Sequence, residues 1–130
     1  MDNGLEHENT FAVIGAGMSG VLAGIKLMEA GYPFQIFEKA DRVGGTWREN
    51  TYPGIACDVP SHIYSYSFEL NPDWSEFTSP GSEVQEYFER VSKRYGVDSH
   101  IRFNEAVTRC AWMGDRWEIE TEKGNVEQFR

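Results

Sequence analysis

The sequence predicts an α/β fold, in which a parallel sheet grown from one strand–helix–strand unit carries an antiparallel three-stranded meander. Three observations predict it. First, the apolar run Phe11-Ala12-Val13-Ile14 breaks into Gly15-Ala16-Gly17-Met18-Ser19-Gly20, and a helical pattern follows at once. Second, another apolar run, Phe34-Gln35-Ile36-Phe37, ends on the acidic Glu38. Third, the C-terminal stretch alternates apolar and acidic residues around two hinges, Gly114-Asp115 and Lys123-Gly124-Asn125.

Residues 1–9 read as a polar, acidic lead-in. Residues 10–38 form the first unit: a strand over 10–14, a helix over 18–30, and a strand over 34–37. Val21, Leu22, Ile25 and Met28 share one face of that helix, Gly31 ends it, and Pro33 stands just beyond. Gly15-Ala16-Gly17-Met18-Ser19-Gly20 is G-x-G-x-x-G, placed between strand and helix as a dinucleotide-binding, Rossmann-like unit requires. Gly15 makes the tight turn, Gly17 lets the backbone approach a pyrophosphate, and Gly20 lets the helix pack closely on the strand. The N–H groups at the positive end of the helix then face the phosphates. Glu38, eighteen residues after Gly20, stands where a carboxylate accepts from the adenosine ribose and repels a 2′-phosphate.

Residues 39–80 read as one long loop, punctuated by Gly44-Gly45, Pro53-Gly54, Pro60, Asn71-Pro72 and Pro80-Gly81. Its aromatics (Trp47, Tyr52, Tyr64, Tyr66, Phe68, Trp74, Phe77) argue for order, and the expectation is a segment that covers a large ligand, with a helical turn near 61–67. A second helix is expected over 82–95, with Ser82 as N-cap, Gln85 as its capping-box partner, and an apolar stripe of Val84, Tyr87, Phe88, Val91 and Tyr95. Ile101-Arg102-Phe103 reads as a short strand, followed by meander strands over 106–113, 116–122 and 125–130. A parallel sheet of 10–14, 34–37 and 101–103 is thin, so one further central strand is expected beyond Arg130.

Composition narrows the function. The formal charge is −9, from 21 acidic and 12 basic residues, which argues against nucleic acid or an anionic membrane as partner. Phosphates would be held mainly by backbone dipoles. Cys57 and Cys110 share no metal-ligand spacing with His7, His62 or His100, and both read as free thiols of a reducing compartment. No apolar run approaches the roughly 18 residues of a membrane span, and the N-terminus resembles no targeting peptide, so the cytoplasm is expected.

The stretch 44–66 is the most specific. Glu38-Lys39, Gly44-Gly45-Thr46-Trp47, Tyr52-Pro53-Gly54 and Cys57-Asp58 together resemble the N-terminal FAD-binding region of class B flavoprotein monooxygenases, closest to the Baeyer–Villiger monooxygenases. The resemblance covers nearly all of 8–130. It implies a Rossmann-like, glutathione-reductase-like FAD-binding domain. Gly15, Gly17 and Gly20 would hold the FAD pyrophosphate, helped by the backbone of Ala16, Met18 and Ser19. Glu38 would bind the ribose, with Lys39 beside it. Gly45, Thr46 and Trp47 would follow the ribityl chain and pyrophosphate, Tyr64 would pass the ring or ribityl side, and Val107 would offer backbone to the adenine. Asp58 is the catalytic candidate, near the isoalloxazine ring, where a carboxylate orients an arginine; read from the residues alone, with Val59-Pro60-Ser61 following, it is an Asx-turn or N-cap residue. No metal is implied.

In that family NADPH reduces FAD, molecular oxygen adds to give a C4a-peroxyflavin, and a ketone is converted to an ester or lactone. The resemblance departs from the family's pattern where the second glycine-rich loop for NADPH, the histidine-bearing fingerprint, the strand with an A-T-G-like turn and the catalytic arginine should follow. The chain therefore reads as about the first quarter of such an enzyme and is expected to be inactive alone. Two other readings stand beside this one. A flavin-containing monooxygenase acting on nitrogen or sulfur usually has Asn where Asp58 stands. A nonenzymatic nucleotide-binding module would need none of the missing parts.

Overall fold

The computed structural model describes residues 11–130, so the expected lead-in over 1–9 lies outside the described residues. β1 (Phe11–Ile14), α1 (Met18–Ala30) and β2 (Phe34–Phe37) form the first unit. β1 and β2 are parallel, with Phe11 opposite Phe34 and Ile14 opposite Phe37. α1 ends in a left-handed Gly31 at φ 77°, whose N–H donates to the Met28 carbonyl while the Tyr32 N–H donates to that of Leu27. Both hydrogen bonds satisfy carbonyls that a helix end leaves open.

The loop after β2 is not featureless. It contains a short helix, α2 (Thr46–Glu49), and a 3-10 turn at Ser61–Ile63 within the expected 61–67 region. Trp47, Tyr64, Tyr66, Phe68 and Trp74 pack on the protein itself, whereas Tyr52 and Phe77 are exposed. Tyr66 lies 5.4 Å from Phe88 and Trp74 5.4 Å from Tyr87, centroid to centroid. The Tyr87 hydroxyl donates to the Glu69 carbonyl at 2.5 Å and accepts from the Tyr66 N–H at 3.0 Å.

α3 (Gly81–Arg94) buries Val84, Tyr87, Phe88 and Val91 of the expected stripe, while Tyr95, its expected last member, is the C-cap and half-buried. The expected capping box is absent. Pro80 is the N-cap, and no side chain caps the helix. The Gly81 N–H is already held by the Ile55 carbonyl at 3.0 Å, which starts the helix before Ser82. Gln85 instead satisfies the buried Val43 carbonyl at 2.9 Å.

β3 (Ile101–Arg102) pairs parallel with β2, giving the sheet order β1-β2-β3. β4 (Val107–Trp112), β5 (Trp117–Thr121) and β6 (Val126–Phe129) form a separate antiparallel sheet, with a register shift between Val107 and Arg109. The meander is therefore tied to the parallel sheet by side chains and not by a ladder. Phe37 meets Phe129 edge to face, and Ile119 joins them in a second small core. Arg102 makes a two-point ion pair with Glu127. Glu105, which is buried, accepts from Thr121 Oγ1 at 3.0 Å and Asn125 Nδ2 at 2.6 Å. No helix is long and apolar enough to cross a membrane among the described residues.

Candidate functional site

A cleft of about 480 Å³ opens where β1, β2, α2 and the start of β4 converge. Motif spacing put Gly15, Gly17 and Glu38 forward as ligand residues, the family resemblance added Lys39, Gly45, Thr46 and Val107, and all seven line it. Gly15 takes φ 99°, the conformation for leaving a strand sharply without a Cβ. Gly20 lies under the turn. A Cβ there would stand 1.8 Å from the Gly15 carbonyl oxygen, which is the close helix–strand approach the third glycine permits.

Gly17 and Gly45 precede the first residues of α1 and α2, and neither helix has a side-chain cap. The uncapped start of α1 presents backbone N–H donors to an anion, whereas at α2 the Trp47 and Arg48 N–H groups are already taken by the Gly44 and Gly45 carbonyls. The two glycines also lie against each other, so the chain is bare on both sides of this point. Met18 and Ser19 are exposed at the head of α1. This donor set suits a pyrophosphate, and the carboxylate of Glu38 beside it suits a sugar hydroxyl.

Ala16 is placed differently. It is wholly buried, its N–H donates to Glu38 Oε2 at 2.6 Å, and its carbonyl accepts from the Gly44 N–H at 3.1 Å. Trp47 and Tyr64 stand outside the cleft. The Trp47 indole N–H donates to the Tyr64 hydroxyl at 3.1 Å, and that hydroxyl donates to the Met18 sulfur at 3.4 Å. The Tyr66 hydroxyl donates to the Met18 carbonyl. These aromatics brace the first turn of α1 from behind. Asp58 is exposed, away from the cleft, and no arginine pairs with it among the described residues. No side chain caps the turn at Ser61–Ile63, so Asp58 does not act as its N-cap.

Glu49, Asn50 and Ala106 also line the cleft and were missed by sequence reasoning. For Glu49 and Asn50 the available signal was position, just after the Gly-Gly-Thr-Trp run, because α2 is too short to show a periodicity; Ala106 directly precedes Val107. Outside the cleft lining, Arg48 of α2 donates to Asp41 at 2.6 Å, and this bond holds the Asp41 carboxyl below its ordinary range.

The sequence model of the NAD(P)-binding Rossmann-like domain family matches residues 13–80, and the chain belongs to that family. Within this class it is 45% identical over 129 residues to a Baeyer-Villiger monooxygenase of Streptomyces coelicolor, covering 93% of this chain and 25% of the relative. It is 42% identical over 116 residues to the FAD-binding monooxygenase tazF of Aspergillus terreus, covering 85% and 21%. The crystal structure of a cyclohexanone monooxygenase from a Rhodococcus species, bound to NADP+, superposes with a TM-score of 0.88 at 38% identity, covering 92% of this chain and 24% of that one. The chain thus spans about a quarter of the length of the proteins it matches.

Proposed function

We propose that this chain is the FAD-binding part of an NADPH- and oxygen-dependent monooxygenase of the Baeyer–Villiger kind, and that its cleft holds the adenosine diphosphate half of FAD. The observation that carries the reading is the meeting, in one cleft, of Gly15 and Gly17 of the glycine loop, Glu38 at the end of β2 and Gly45 at the start of α2, three separate stretches of sequence. The uncapped start of α1 supplies N–H donors for the pyrophosphate, and the bare backbone of Gly45 lets it approach. Glu38 takes the ribose hydroxyls, Lys39 lies beside them, and Val107 borders the adenine. Trp47 and Tyr64 act through the first turn of α1, which they brace. Asp58, exposed on the long loop, is available to orient a cationic group near the flavin. FAD, when bound, supplies the redox chemistry that lets NADPH and oxygen act on a substrate.

The Baeyer-Villiger and cyclohexanone names among the relatives favour a ketone substrate over an amine or thioether. The free thiols Cys57 and Cys110 accord with a cytoplasmic protein. Titration with FAD, followed by quenching of flavin fluorescence, tests the reading. FAD should bind and Glu38→Arg should weaken it by roughly ten- to a hundredfold, the worth of a hydrogen bond to a charged group. Binding of NADP without binding of FAD would sink the assignment.

A further inference from the structure

Glu38 does more than face the cleft. It is 5% exposed, and both carboxylate oxygens are engaged within the protein. Oε2 accepts from the Ala16 N–H at 2.6 Å, and Oε1 accepts from the Ala40 N–H at 2.9 Å. Its main chain is held as firmly, with its N–H donating to the Arg102 carbonyl at 2.9 Å and its carbonyl accepting from the Glu105 N–H at 3.0 Å. Ala16 is therefore clamped twice, at its N–H by Glu38 and at its carbonyl by Gly44.

We propose that Glu38 is a positioning residue for the glycine loop. Its carboxylate acts as an internal anion on the Ala16 N–H, sets the loop before any ligand arrives, and leaves the N–H groups from Gly17 onward for the ligand's phosphates. Only the part concerning phosphates rests on the nucleotide reading above. The chemistry needs a carboxylate of this length. The amide of glutamine has one acceptor oxygen, so one of the two backbone N–H groups would meet an NH2 donor and lose its partner. A buried backbone N–H without a partner is strongly disfavoured.

The test separates this role from a ribose contact. In isotopically labelled, ligand-free chain, the Ala16 amide should exchange slowly with solvent, and Glu38→Gln should speed exchange at Ala16 and Ala40 by roughly ten- to a hundredfold. The dideoxy form of ADP, which has no ribose hydroxyls, should bind Glu38→Gln about tenfold more weakly than wild type, although the substitution removes a repelling charge. Equal or tighter binding of that probe, with Ala16 exchange unchanged, would overturn the proposal and leave Glu38 as a ribose ligand alone. If Glu38→Gln does not fold, the wild-type chain still decides. Ala16 exchanging as fast as the amide of exposed Lys39 overturns the proposal, and protection of Ala16 supports it. Failure of the wild-type chain to bind ADP at all would remove the nucleotide reading, while the exchange result still judges the role of Glu38.

Discussion

Gly17 and Gly45 lie against each other across the cleft floor, so closely that a Cβ on Gly45 would stand 3.0 Å from the Gly17 α-carbon. The relationship is asymmetric. Gly45 sits at φ 53° and ψ −121°, where L residues are strained, whereas Gly17 has φ −75°, and a Cβ there would make an ordinary 3.5 Å contact.

Substitution should therefore sort the glycines. Gly45→Ala should cost about 1–3 kcal/mol from backbone strain and contact. Gly20→Ala, aimed at the Gly15 carbonyl, should cost about 3 kcal/mol, the upper part of the usual range for overpacking. Gly17→Ala should leave stability within about 0.5 kcal/mol, yet weaken FAD binding, because its methyl fills the approach to the phosphates. Urea unfolding and FAD titration on the three variants check this; a Gly17→Ala protein that binds FAD normally would remove the pyrophosphate from this point.

Glu105 should make the chain acid-sensitive. Its hydrogen bond from Asn125, with that from Thr121, holds its pKa below the ordinary carboxylate value. A depressed carboxylate contributes stability that is present above its unfolded pKa, about 4.3, and is lost as pH falls through the folded value. Glu105→Ala should cost about 1–3 kcal/mol at neutral pH and flatten the loss of stability below about pH 4.3. Denaturant midpoints measured from pH 3 to 7 in both proteins would show it.

Tyr66 should act at the other end of the scale. Burial pushes its phenol well above the ordinary tyrosine value. Above about pH 10 the unfolded chain releases that proton while the folded chain keeps it. The unfolded state then binds fewer protons, so stability falls with rising pH. Tyr66→Phe should reduce this alkaline slope, while at neutral pH it loses only the bond to the Met18 carbonyl, about 1 kcal/mol. An unchanged slope between pH 9 and 11.5 would contradict the assignment.

The chain by itself should associate. Among the described residues β1 is paired only with β2, and Phe11, Ile14 and Trp117 are exposed around an apolar groove shared with Ile119 and Phe129. An open strand edge next to apolar surface favours intermolecular pairing. Light scattering should show self-association that Phe11→Lys reduces. FAD at about a hundred times its Kd should add about 2.7 kcal/mol of stability. No ketone-dependent oxidation of NADPH is expected, because the sequence has no second G-x-G-x-x-G. Turnover by the purified chain would refute this last expectation.

What the sequence determined by itself is the local grammar. Strands at Phe11–Ile14 and Phe34–Phe37 and the helix Met18–Ala30 fall where apolar periodicity, the glycine turn and Gly31 put them, because each signal lies within its own element. Gly15, Gly17 and Glu38 were legible for a related reason, since strand ends and glycines mark where a βαβ unit opens, whereas Lys39, Gly45, Thr46 and Val107 were reached only through the family resemblance. Tertiary structure decided the rest. Gln85 left its expected capping role because a buried carbonyl at Val43 needed a donor. Trp47 turned to Tyr64, and the meander docked through Phe37, Phe129 and Glu105 without joining the parallel sheet. The carboxylate of Glu38 reached an N–H group 22 residues earlier in the chain. A side chain's type can be read from one position, but its partner is set by which distant donors and acceptors folding leaves unpaired beside it.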